Sequence, residues 1–111
     1  LTLFYRRYYE ITESLIKSGL FTALGHPDAI KLFEKYPDYP LADAYRRVAA
    51  LLKERGMATE NNSGLSRYGF PYPGLNPEFL RILKETGVVI NRASDAHNID
   101  DIGRMFERLE I

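Results

Sequence analysis

Three glycines set the architecture open to this chain. Gly19, Gly56 and Gly87 each close a stretch of apolar residues at helical spacing, and each precedes a short run of strand-like composition. Phe4, Tyr8, Ile11 and Leu15 predict an amphipathic helix over residues 3–18 with these side chains on its inner face. A strand follows over 21–25, ending at His26 and at Pro27, which resists helical continuation. A short helix is expected over 29–35, and the prolines of 36–40 mark a loop. Leu41, Ala44, Tyr45, Val48, Leu51 and Leu52 define a second buried helical face over 41–55. The next strand is 57–60, and a glycine- and proline-bearing loop spans 61–75. Asn76 before Pro77 is a strong helix start, since asparagine caps free amides and proline suits the first helical position. Residues 88–90 form the third expected strand. Beyond it, Ile99, Ile102, Met105, Phe106 and Leu109 suggest a last helix, with Asn98 and Asp101 in a capping-box-like arrangement. A leading helix and three strand-helix units imply an α/β chain with parallel strands and right-handed crossovers.

With 111 residues, 45% apolar and 27% charged, the sequence fits a single segment, 1–111, able to bury a core. Fifteen basic and fifteen acidic residues cancel, so no global field recruits nucleic acid or an anionic membrane. No apolar stretch approaches a membrane span. Cysteine is absent, which removes disulfides and thiolate zinc sites and fits a reducing cytoplasm.

Parallel strands would carry His26, Glu60 with Asn61, and Asp95 with His97 to one rim. Ser94-Asp95-Ala96-His97 places a carboxylate and an imidazole two residues apart in one turn. Two imidazoles and one or two carboxylates suit zinc, manganese or iron, which accept mixed nitrogen and oxygen ligands. Structural roles explain the same residues: His26 bonded to a backbone carbonyl, Asp95 as a helix cap, His97 as a solvated turn residue.

Four segments occur in order: Gly25-His26-Pro27-Asp28; Glu60-Asn61-Asn62-Ser63-Gly64-Leu65; Arg67-Tyr68-Gly69-Phe70-Pro71-Tyr72-Pro73; and Ser94-Asp95-Ala96-His97 with Asp101-Ile102-Gly103. Together they resemble the carboxyl-terminal half of histidinol-phosphatases of the polymerase-and-histidinol-phosphatase (PHP) family of metal-dependent phosphoesterases. The resemblance covers essentially the whole chain. It implies part of a distorted TIM-like (β/α)7 barrel, with divalent metals (Mn, Zn or Fe) clustered at the carboxyl ends of the strands. The implied activity is hydrolysis of L-histidinol phosphate to histidinol and phosphate, in histidine biosynthesis.

The resemblance makes His26, Asp95 and His97 the metal ligands. Glu60 sits beside the cluster, and Arg67 becomes the phosphate clamp because guanidinium offers two parallel donors to phosphate oxygens. Asn62 and Ser63 join Glu60 and Arg67 as candidate substrate-binding residues, although turn formation explains both. A solvated loop arginine is the alternative for Arg67, and a surface carboxylate paired with Arg67 or Lys53 is the one for Glu60. Arg92 has no assigned role. The family's opening His-x-His motif and its other early ligands have no counterpart in these residues. Three strand-helix units cannot close a barrel either, so self-association or the missing amino-terminal half is expected to cover the sheet edges. The expected partner is a small phosphorylated substrate, with no nucleic acid and no membrane. Two other readings stand beside this: a catalytically inactive oligomerising module, and a related phosphoesterase with another substrate.

Overall fold

Gly56 and Gly87 take left-handed φ values of 65° and 85°. Each donates its N–H to carbonyls of the turn it closes, Gly56 to Leu52 and Lys53, Gly87 to Leu83 and Lys84. That geometry ends helices α2 (Ala42–Arg55) and α3 (Pro77–Thr86) at the expected glycines. The Asn76 side chain accepts hydrogen bonds from Glu78 N at 2.9 Å and Phe79 N at 3.4 Å, so α3 begins at the expected cap. Helix α1 (Thr2–Lys17) ends just before Gly19, also left-handed at 69°. A computed structural model describes residues 2–33 and 36–111 of the chain.

Strands β1 (Ala23–Leu24), β2 (Ala58–Asn62) and β3 (Ile90–Ala93) form one parallel sheet in the order β1-β2-β3. Leu24 is in register with Thr59 and Thr59 with Ile90. The Thr59 hydroxyl donates to the Leu24 carbonyl at 2.8 Å, which satisfies a polar group that is fully buried. Helix α2 packs against both α1 and α3. One core joins Tyr5, Tyr9, Tyr45, Val48, Phe79 and Leu83 from the helices to Val88 and Ile90 at the third strand. The Tyr45 and Phe79 rings stack at 4.2 Å between centroids, locking α2 to α3. Among the described residues, no helix is long and apolar enough to cross a membrane.

Several local expectations are corrected. The buried face of α1 is Tyr5, Tyr9, Thr12 and Ile16, whereas Phe4, Ile11 and Leu15 are exposed. Tyr8 alone of the predicted face is partly buried, against the core. Two apolar stripes run along this helix, and the one with Tyr9 wins because its ring meets the Tyr45 ring edge-on at 6.1 Å. Strand β1 is shorter than 21–25, and Phe21 is left exposed. Strand β2 runs two residues past Glu60, because Asn61 and Asn62 pair in register with Arg92 and Ala93, and β3 starts at Ile90 rather than at 88. The short helix is a 3₁₀ turn, Ala29–Phe33, and the rest of the expected 29–35 segment lies outside the described residues.

The last helix does not form. Two 3₁₀ turns, Ile99–Asp101 and Phe106–Arg108, replace it. Gly103 at φ 72° and Met105 at 59° break the helical path between them. Ile99 and Ile102 are therefore exposed, and Leu109 is the fully buried member of the expected face. Asn98 caps no backbone amide; its side chain donates to Asp101 Oδ2 at 3.1 Å instead.

Candidate functional site

Parallel pairing carries the ends of all three strands to one rim. His26 lies two residues beyond β1 and Asp95 two residues beyond β3. Both have positive φ, 20° and 49°, conformations uncommon for residues with a side chain. Aspartate and histidine visit this region more readily than most residues, but each still needs its surroundings to hold it there. Part of that hold comes from Glu60, whose Oε1 accepts the His26 N–H at 3.1 Å.

His26 and Asp95 line a single cleft of ≈ 200 Å³, together with Asp28, Lys31, Asn62 and Gly64. Asn62 stands on the middle strand, its amide donating to Glu60 Oε1 at 3.1 Å and its carbonyl accepting Gly64 N–H at 2.8 Å. Glu60 thus joins the first strand's exit to the second strand's. The carboxylate meets neither of the partners expected for a surface residue; it faces the rim.

The remaining candidates lie off this cleft. Ser63 is fully buried, with its N–H at 2.9 Å and its hydroxyl at 3.4 Å from the Ala93 carbonyl, a clasp between β2 and β3. Asn61 is also buried; it accepts Leu75 N–H at 2.8 Å and donates to the Glu110 carbonyl at 2.7 Å. Arg67 is exposed on the 3₁₀ turn Gly64–Tyr68, its guanidinium 5.4 Å from the Tyr68 ring centroid. His97 is exposed in the turn after Asp95. Arg92 donates to the Leu109 carbonyl at 2.9 Å and so anchors the end of the chain.

A nitrogen donor from His26 and an oxygen donor from Asp95 suit a divalent ion of the zinc, manganese or iron type. Among the described residues, no group of three or more histidine, aspartate and glutamate side chains is gathered closely enough to hold one. The rim therefore fits part of a donor set.

Sequence reasoning missed the two most buried charges of the cleft. Asp28 and Lys31 form an ion pair at 2.9 Å with side chains 8% and 5% exposed. Asp28 Oδ2 also accepts Asn76 N–H at 2.8 Å, and Lys31 donates in addition to the Gly74 carbonyl. The ammonium lies 4.7 Å from the Tyr72 ring centroid and 5.7 Å from that of Phe70. Burial lowers the Lys31 pKa, and the Asp28 carboxylate opposes that shift. The available signal was Asp28 and Lys31 at i, i+3, in the same segment as His26.

Over 104 residues the chain is 31% identical to a protein of Deinococcus radiodurans named a probable histidinol-phosphatase, a match that takes in 92% of this chain. The chain spans 38% of that relative's length. No protein-family model matches the sequence. No solved structure matches it.

Proposed function

We propose that this chain is the carboxyl-terminal part of a PHP-type histidinol-phosphatase barrel. In the complete enzyme, its rim takes part in hydrolysing L-histidinol phosphate to L-histidinol and phosphate. The observation that carries this reading is the pairing of His26 and Asp95 on one cleft at the ends of parallel strands, in a segment similar to a probable histidinol-phosphatase. A divalent ion held by His26 and Asp95, with His97 from the adjoining turn, would supply Lewis-acid polarisation of a phosphoryl oxygen.

The chain's own groups do the positioning. Glu60 fixes the His26 backbone and orients the Asn62 amide. Arg67, three residues beyond the cleft-lining Gly64 on the same turn, offers its guanidinium to the substrate's phosphate oxygens. The remaining donors and strands belong to the rest of the enzyme or to a second copy that covers the sheet edges. Absence of cysteine and the balanced charge favour a cytoplasmic enzyme acting on a small phosphomonoester over one acting on nucleic acid.

The test is metal content by elemental analysis of the chain and of Asp95→Asn, followed by phosphate release from histidinol phosphate with manganese, zinc or iron. Asparagine tolerates the left-handed backbone, so the fold should survive the exchange. Bound ion in the native chain, with a lower ion content in the variant that has lost a carboxylate ligand, is the expected result. No ion in either protein would favour the inactive-module reading of the isolated segment.

A further inference from the structure

We propose that the buried Asp28–Lys31 pair is a positioning unit that fixes His26 on the cleft, by tying the β1 exit to the loop that precedes α3. His26 adopts an uncommon backbone conformation, and such a residue persists only where its surroundings over-determine it. Glu60 grips its N–H from one side. On the other side the chain runs through Pro27, whose carbonyl accepts the Tyr8 hydroxyl at 3.2 Å, to Asp28. The His26 carbonyl accepts Ala29 N–H and the Asp28 carbonyl accepts Lys31 N–H, both at 3.1 Å, so the turn that begins at His26 runs directly into the turn that the pair spans. Asp28 then reaches Asn76 N–H, and Lys31 reaches the Gly74 carbonyl beneath the rings of Tyr72 and Phe70.

Two desolvated charges are a poor choice for stability alone. A buried pair is often replaceable by apolar groups at little or no cost, whereas removal of one partner is strongly destabilising. What the pair adds over an apolar plug is direction, since its hydrogen bonds specify which loop meets which turn. Asp28 and Lys31 both line the same cleft as His26 and Asp95. This role rests on the metal-site reading above for its purpose, but not for its geometry.

The experiment compares the native chain with Lys31→Met and with the charge-neutral double variant Asp28→Asn/Lys31→Met. The chain holds two histidines, His26 and His97, so its imidazole NMR spectrum contains two sets of signals. Thermal midpoints, these signals without metal, and a zinc titration are read for each protein. The single variant is expected to lose much of its stability and the double variant to regain it. Even so, the double variant's His26 signals should split or broaden while those of His97 stay in place, and its zinc midpoint should rise by about tenfold. Lys31→Arg, which keeps the charge but moves the donors, is a milder probe and should disturb His26 in the same sense. Native His26 signals and an unchanged zinc midpoint in any folded variant would reduce the pair to a structural plug and overturn the proposal. If the native chain ignores zinc, the metal reading fails, and the His26 signals alone still decide the positioning role.

Discussion

Gly64 lies so close to Asp95 that a Cβ on the glycine would sit 2.9 Å from the aspartate Cβ. The same Cβ would meet the Ser94 carbonyl oxygen at 3.1 Å and Asn62 Oδ1 at 3.0 Å. Two of these neighbours are backbone or the stem of a side chain, so they cannot rotate away. The glycine is therefore what allows the exits of β2 and β3 to touch, at the cleft that Asp95 lines together with His26.

Gly64→Ala should push the β3 exit outward and cost about 1–3 kcal/mol, the usual range for overpacking. Urea unfolding would report the loss as a lower midpoint with an unchanged slope. A midpoint within experimental error of the native one would mean that the two turns can separate freely, which would undercut the geometry of the cleft.

Alkaline stability follows from the tyrosines. Burial pushes the Tyr5 and Tyr8 hydroxyls from 10.0 up to about 12 and also raises Tyr9, Tyr45 and Tyr72. Above pH 10 the unfolded chain releases phenolic protons that the folded chain retains, so unfolding becomes easier as pH rises. Lys31 acts in the opposite sense: its lowered pKa makes the folded chain lose that proton first, which adds stability as pH climbs toward 10.5. One lysine opposes five tyrosines, so the net effect is loss. The thermal midpoint should fall steeply above pH 10, with the buried phenolates appearing in the ultraviolet spectrum together with unfolding. Smooth ionisation of Tyr5, Tyr8, Tyr9, Tyr45 and Tyr72 near pH 10 in a chain that stays folded would contradict this packing.

Residues whose conformation is set locally were readable in the sequence. Gly56, Gly87 and Asn76 act as caps wherever they stand, because left-handed φ and a short side-chain acceptor are properties of the residue itself. Choices decided by distant partners were not. Asn61 and Asn62 read as the start of the glycine- and proline-bearing loop, yet they are strand because they pair with Arg92 and Ala93 of β3, while Leu75, Glu110, Glu60 and Gly64 answer their side-chain amides. The apolar spacing of Ile99 and Ile102 suggested a buried helix, but left-handed Gly103 and Met105 end it within a turn. The rim itself was legible, since parallel strands put His26, Glu60 and Asp95 at one end. Its cleft was only half legible, because the Asp28–Lys31 pair depends on Gly74 and Asn76, more than forty residues away.

Asn61 offers a test of how the long loop is held. Its carbonyl accepts the N–H of Leu75, one residue before the α3 cap, and its amide reaches the Glu110 carbonyl. One side chain on the middle strand therefore fastens both the loop and the end of the chain. In Asn61→Ala the buried Leu75 N–H loses its acceptor, and the carbonyl of Glu110 its donor. An orphaned buried group costs about 1–3 kcal/mol, so a loss of at least ~1 kcal/mol is expected from the denaturation midpoint. Asn61→Asp separates the two arms: its carboxylate still accepts from Leu75, but it faces the Glu110 carbonyl with no proton to give. Hydrogen exchange at Leu75 should accelerate in Asn61→Ala and stay slow in Asn61→Asp. Equal protection of Leu75 in both variants would show that the loop is held without Asn61, by the contacts of Asp28 to Asn76 and of Lys31 to Gly74.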